Sequence, residues 1–230
     1  MAMVFEVALP RVLIAGSSDD FPVRRIYCVG RNYAEHAKEM GATGREAPFF
    51  FAKPADAVVP VAAGGEGQIA YPLRTANLHH EVELVVAIGG AGMNVPASSA
   101  GTLVFGYAVG VDLTRRDLQA EFKRKGQPWE MAKGFDQSAP IGPIHVADSC
   151  GAMAAGQISL AVNGVERQHG DLSDMIWSVA EIIAELSCYV ELRPGDLIFT
   201  GTPAGVGPLV RGDRVNARID RLGSLALTIA

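Results

Sequence analysis

The segment LHHEVELVVAIG carries Glu81 and Glu83 two residues apart, a spacing that puts both side chains on one face of an extended strand. Val82, Leu84 and Val86 take the opposite face. Adjacent carboxylates repel, so the pair needs either surrounding water or a cation between its oxygens. Mg2+ and Mn2+ take hard oxygen ligands of this kind. Asp112 ends the apolar run VFGYAVGVD and offers a third carboxylate. An acid at the end of a buried strand needs a cation or several donors to stay ionised, although a simple turn or capping acid reads the same way in sequence. His79 shares the strand face of Glu81 and Glu83, so H-x-E-x-E could also be a mixed site suited to zinc, but no second histidine at suitable spacing completes a typical set.

His36 and Glu39 stand three apart in NYAEHAKEMG. On a helix they share a face, where the carboxylate can polarise the imidazole into a general base or merely form a surface pair. In TRRDLQAEFKRKG, Arg116, Gln119 and Lys123 fall on one face just after Asp112, suiting an anionic substrate or a developing oxyanion. Lys133 sits between Ala132 and Gly134, with no bulky neighbour to shield it, and plain exposure is its simplest reading. Thr202 lies in the glycine-rich stretch FTGTPAGVGP, which lacks both the G-K-[ST] ending of a P-loop and G-x-G-x-x-G, so nucleotide binding is not indicated.

The elements that must hold these residues are mostly strands. Twenty-six glycines and thirteen prolines punctuate short β-branched runs such as RRIYCVG, ISLAVNG and GDLIFTG, which predicts a β-rich α+β protein with a few short helices. Helices are predicted where capping pairs occur: Asn32 with Glu35, Thr114 with Asp117 ahead of a closing Gly126, and Ser178 with Glu181 ahead of the apolar face Val179, Ile182, Ile183 and Leu186. The uncharged stretch Leu84 to Val111 is long enough to span a bilayer, but its glycines, Asn94 and Pro96 divide it into two strands and a loop that lipid would not tolerate.

The formal net charge of -5 and the absence of a long basic block argue against nucleic acid as a partner, and Lys123, Arg124 and Lys125 read as a solvated helix end. Cys28, Cys150 and Cys188 are odd in number and form no C-x-x-C, so neither a disulfide framework nor a thiolate zinc site is expected. Glu6 and Pro10 interrupt the N-terminal stretch where a signal peptide would be apolar, giving a cytoplasmic expectation with no membrane association. Residues 1–20 read as an N-terminal extension and 21–230 as one catalytic domain.

From about Arg24 onward the chain resembles the fumarylacetoacetate hydrolase family, through YCVGRNYAEHAKEMG, PFFFAKPADAVVP, LHHEVELVVAIG, GYAVGVDLTRRDLQ, KGQPWEMAKGFDQSAPIGP and RPGDLIFTGTPAGVGP. The combination PFFFAKPADAVVP with WEMAKGFDQSAPIGP is most similar to the fumarylpyruvate hydrolases of bacterial gentisate degradation. The resemblance implies a compact β-roll, a homodimer, and Mg2+ or Mn2+ held by Glu81, Glu83 and Asp112. It implies that His36 and Glu39 activate water and that Arg116, Gln119, Lys133 and Thr202 contact a small dicarboxylic keto acid. Arg31, Lys53, Arg116 and Lys123 are the candidate cations for its far carboxylate. Oxaloacetate decarboxylation, isomerisation or decarboxylation of ring-cleavage dioates, and a non-enzymatic metal-binding module are the alternative readings.

Overall fold

A computed structural model of the chain describes residues 4–34 and 45–230. Seven strands form the path of the central sheet, in the order Phe49–Lys53, Arg25–Gly30, Asp196–Phe199, Val82–Ile88, Val104–Val111, Ala139–Ile141 and Val58–Pro60, with His145–Val146 added alongside Val104–Val111. A second sheet packs against it, ordered Val165–Asp171, Gln157–Val162, Arg214–Ile219, Gly223–Ile229 and Glu66–Ile69. Pairing is mixed: Arg25–Gly30 runs parallel to Asp196–Phe199, while Val82–Ile88 is antiparallel to both of its neighbours. The β-rich expectation holds.

Every residue of Val82–Ile88 is buried, because both faces of the central sheet are covered. Val82, Leu84, Val86 and Ile88 join the larger core, which includes Ile158, Leu160, Ile219 and Leu227 of the second sheet. Val85 and Ala87 join a smaller core on the other face with Val12, Phe21, Cys28, Leu197 and Phe199. A strand covered on both sides reads as a continuous apolar run, which explains why this stretch imitates a membrane segment. No helix among the described residues is long and apolar enough to cross a membrane. Gly110 lies opposite Glu83 in register. A Cβ on it would stand 2.5 Å from Val85 and 2.7 Å from Phe199, so only glycine lets these two strands close up.

Asp196 fastens the sheet at the far end of its strand. Fully buried, its carboxylate accepts from Arg24 at 3.0 Å, Arg25 at 3.0 Å and the Arg193 amide at 3.0 Å, so its charge is balanced and its lone pairs are used.

The helix Val179–Tyr189 is capped as expected, with Ser178 and Glu181 exchanging backbone hydrogen bonds and Ile182, Ile183 and Leu186 buried. Helix Arg116–Lys125 ends at Gly126 in the left-handed conformation but starts differently. Thr114 lies on a short strand, its hydroxyl turned to the Asp112 carbonyl at 3.4 Å, and no side chain caps the helix. Asp117 is drawn instead to the Thr75 hydroxyl at 2.6 Å and the Ala76 amide at 2.9 Å, fixing the helix to the loop before Leu78–His80. The cap predicted from Asn32 and Glu35 lies outside the described residues for Glu35; the Asn32 side chain bridges Trp177 and Thr200.

Candidate active site

The three acids converge at one end of the central sheet. Glu81 occupies the break between Leu78–His80 and Val82–Ile88, Glu83 is the second residue of the latter strand, and Asp112 follows Val104–Val111. The Asp112 amide donates to the Glu81 carbonyl at 2.8 Å, which fixes the strand ends side by side. One carboxylate oxygen from each acid lies within 4.8 Å of the others, and all three residues are buried.

Cations are packed into the same space. The Lys133 ammonium bridges Glu81 at 2.8 Å and Asp112 at 2.7 Å. Plain exposure is thus the wrong reading for Lys133, which is 2% exposed: its small neighbours Ala132 and Gly134 permit close packing against Phe51 and Pro54. Burial alone would lower its pKa, but Asp112 and Glu81 outweigh that and raise it, so the ammonium stays charged. Lys53, also buried, donates to the backbone carbonyls of Leu113 and Lys133. Its ammonium stands 2.8 Å from Asp112 Oδ1, which is close enough to pair electrostatically but too poorly aligned to satisfy that oxygen with a hydrogen bond.

Arg116 engages each of its three guanidinium nitrogens, donating to Glu81, to the Gln119 side-chain oxygen at 2.6 Å and to His79 Nδ1 at 3.3 Å. An acceptor at Nδ1 leaves the ring proton on Nε2, where Asn77 accepts it at 3.0 Å. His79 is therefore neutral, consistent with a pKa lowered to about 4 by burial and by Arg116. It lies outside the carboxylate cluster, which removes the mixed zinc site considered from sequence. Lys123 does not line the pocket, so the helix face splits after Gln119.

Glu83 is the least comfortable acid. Burial, then Asp112 and Glu81, push its pKa well above the usual carboxylate range, against the Lys133 charge and one amide hydrogen bond from Gly201 at 2.8 Å. Three buried carboxylates facing one another, one of them destabilised as an anion and another with an unsatisfied oxygen, form an all-oxygen set that fits a hard divalent cation. The charges of Glu81, Glu83 and Asp112 are balanced by Lys53, Lys133 and Arg116. With Arg31 also lining the pocket, a divalent ion would leave it clearly positive, which suits an anionic ligand.

Thr202 closes another wall. Gln168 donates to its hydroxyl oxygen at 2.7 Å and to the Pro203 carbonyl at 2.9 Å, leaving the Thr202 proton to give elsewhere. His80 Nδ1 lies 2.9 Å from Gln168 Oε1 and completes this buried relay. Neither residue stood out in sequence, where Gln168 sits in the polar stretch VERQHGD; that it alone is fully buried in Val165–Asp171 is visible only in the structure. Arg31, Phe49 and Trp129 line the remaining side of the pocket. His36 and Glu39 lie outside the described residues.

Residues 25–230 match the family described as fumarylacetoacetate (FAA) hydrolase C-terminal. The chain is 42% identical over 206 residues to an oxaloacetate tautomerase of Escherichia coli, covering 89% of this chain and 92% of that one. It is 42% identical over 184 residues to a fumarylpyruvate hydrolase of a Ralstonia species, covering 80% and 93% respectively. A crystal structure of fumarylpyruvate hydrolase from Pseudomonas aeruginosa in complex with Mn2+ and pyruvate superposes with a TM-score of 0.98 at 54% identity, covering 100% of this chain and 99% of that one.

Proposed function

The chain belongs to the fumarylacetoacetate hydrolase family, and from that membership we propose that it is a metal-dependent hydrolase of carbon–carbon bonds in 2,4-diketo acids, converting fumarylpyruvate to fumarate and pyruvate. The observation that carries this reading is the buried cluster of three carboxylates ringed by Lys133, Arg116 and Gln119. The likeness to the P. aeruginosa enzyme, whose structure holds Mn2+ and pyruvate, supports it.

Glu81, Glu83 and Asp112 would hold Mg2+ or Mn2+, which supplies Lewis acidity toward a 2-oxo carboxylate. Thr202, its oxygen engaged by Gln168, gives its proton to the substrate carboxylate. His36, with Glu39 as its acid partner, takes the proton of the attacking water, and the hydroxyl adds to the C4 carbonyl. Lys133 and Gln119 donate to the oxygen that becomes negative there, with Arg116 orienting the Gln119 amide. Collapse breaks the C3–C4 bond; fumarate leaves with the new oxygen, and the pyruvate fragment takes up at C3 the proton that His36 removed from water. Residues 21–230 serve as the catalytic domain and 1–20 as its extension. Homodimer assembly and a cytoplasmic location in aromatic degradation belong to the same reading; light scattering of the purified chain should give twice the 24.3 kDa mass, and a monomer would remove the dimer.

The tautomerase relative favours a second reading, proton transfer on oxaloacetate in the same pocket, which needs no attacking water. A substrate panel separates the two. With Mn2+ present, kcat/KM for fumarylpyruvate should exceed that for acetylpyruvate by at least about tenfold, the value of one desolvated charge-assisted hydrogen bond at the far carboxylate. Faster turnover of acetylpyruvate or oxaloacetate would leave only the family-level activity standing.

A further inference from the structure

Four cations were candidates for the far carboxylate of a dicarboxylic substrate, and the structure separates them. Lys53 is sequestered beside Asp112, Arg116 is held at the carboxylate cluster by Glu81, Gln119 and His79 through all three of its nitrogens, and Lys123 does not line the pocket. Arg31 does line it. Its Nε is buried, and among the described residues nothing accepts a hydrogen bond from it. A buried guanidinium N–H without an acceptor is costly unless a ligand supplies one.

The chain holds Arg31 there at some expense. Its backbone is left-handed, with φ 59° on a residue that has a Cβ, a strain that persists only where the surroundings enforce it. The enforcement is visible on both sides. Asn32 is clamped by the Trp177 amide at 2.7 Å, the Trp177 carbonyl at 2.9 Å and the Thr200 carbonyl at 2.8 Å. Gly30 lies under the Phe49 ring, which would be 2.0 Å from a Cβ at that position. The guanidinium carbon stands 5.6 Å from the centroid of the same ring. Trp129 meets Phe49 edge-on at 5.3 Å between centroids. A preset cation thus sits beside an aromatic wall, in the same pocket as the carboxylate cluster.

We propose that Arg31, backed by Phe49 and Trp129, is the specificity-determining residue that binds the far carboxylate of a planar, unsaturated dicarboxylate. The proposal rests on the diketo-acid reading above, and fumarate, the fragment that would lie in this part of the pocket, tests it separately from turnover. Binding of fumarate and of crotonate, which has the same planar carbon chain with one carboxylate fewer, is measured by calorimetry on the Mn2+-loaded protein for wild type, Arg31→Gln and Arg31→Lys. Wild type should bind fumarate about tenfold to a hundredfold more tightly than crotonate. Arg31→Gln should lose that margin through weaker fumarate binding, with crotonate unchanged within about twofold, and Arg31→Lys should recover part of it. Equal weakening of both ligands in Arg31→Gln, an unchanged margin, or no margin in wild type would overturn the assignment. If Arg31→Gln does not fold, Arg31→Lys and the wild-type margin decide. Wild type that shows the margin yet fails to hydrolyse fumarylpyruvate would sink the hydrolase reading and leave Arg31 in place.

Discussion

Glu83→Gln and Asp112→Asn are expected to lower turnover of fumarylpyruvate by at least about a thousandfold, and EDTA should do the same to wild type, with Mn2+ or Mg2+ restoring it. Loss of a Lewis acid worth several kcal/mol sets that scale. The two variants should part company in stability. Glu83 is buried among like charges and its anion is disfavoured by burial, Asp112 and Glu81. A glutamine there keeps an acceptor for the Gly201 amide and removes the charge, so metal-free Glu83→Gln should melt no lower than metal-free wild type. Asp112→Asn removes a counterion of both Lys53 and Lys133 and should melt lower. Full activity in a preparation shown by elemental analysis to lack metal would end the metal reading. Metal-free Glu83→Gln melting well below wild type would show that the Glu83 charge is stabilising.

Lys133→Met should be the most destabilising single change in the pocket. Its ammonium is the shared counterion of Glu81 and Asp112, and removing one partner of a buried ion pair costs about 3–5 kcal/mol, because the other charges remain buried and uncompensated. Loss of a donor at the developing oxyanion adds about a hundred- to a thousandfold in kcat. Since a divalent ion would neutralise the same carboxylates, Mn2+ should stabilise Lys133→Met more than it stabilises wild type. Denaturant titrations with and without Mn2+ measure both effects. A variant as stable as wild type without metal, or one that gains no extra stability from Mn2+, would show that Lys133 is not their counterion.

The sequence carried a good deal of this. Glycine and proline punctuation around β-branched runs announced a β-rich fold, and the division of Leu84 to Val111 into two strands is what the chain forms, although the expected loop between them winds Ala97–Leu103 into a 3-10 helix. Ser178 with Glu181 identified a real capping box because both partners lie within one turn, and the distant Arg45 takes only the other oxygen of Glu181, leaving the capping one in place. Thr114 with Asp117 had the same spacing and failed, because Thr75 and the Ala76 amide, far off in sequence, take the carboxylate. A local motif predicts structure only while its partners have no better offer.

The same distinction governs the pocket. Residue types and spacing determined by themselves that three carboxylates stood at strand ends and that Arg116 and Gln119 shared a helix face. Only the tertiary structure decided that the carboxylates face one another rather than water, since period-two alternation assigns a face but not what covers it, and the cover comes from Lys53, Lys133 and Thr202 on remote segments. It also decided which cation is left for a ligand. Arg31 and Arg116 look alike in a sequence, and what separates them is that Glu81, Gln119 and His79 converge on one guanidinium while, among the described residues, the buried Nε of the other meets no acceptor.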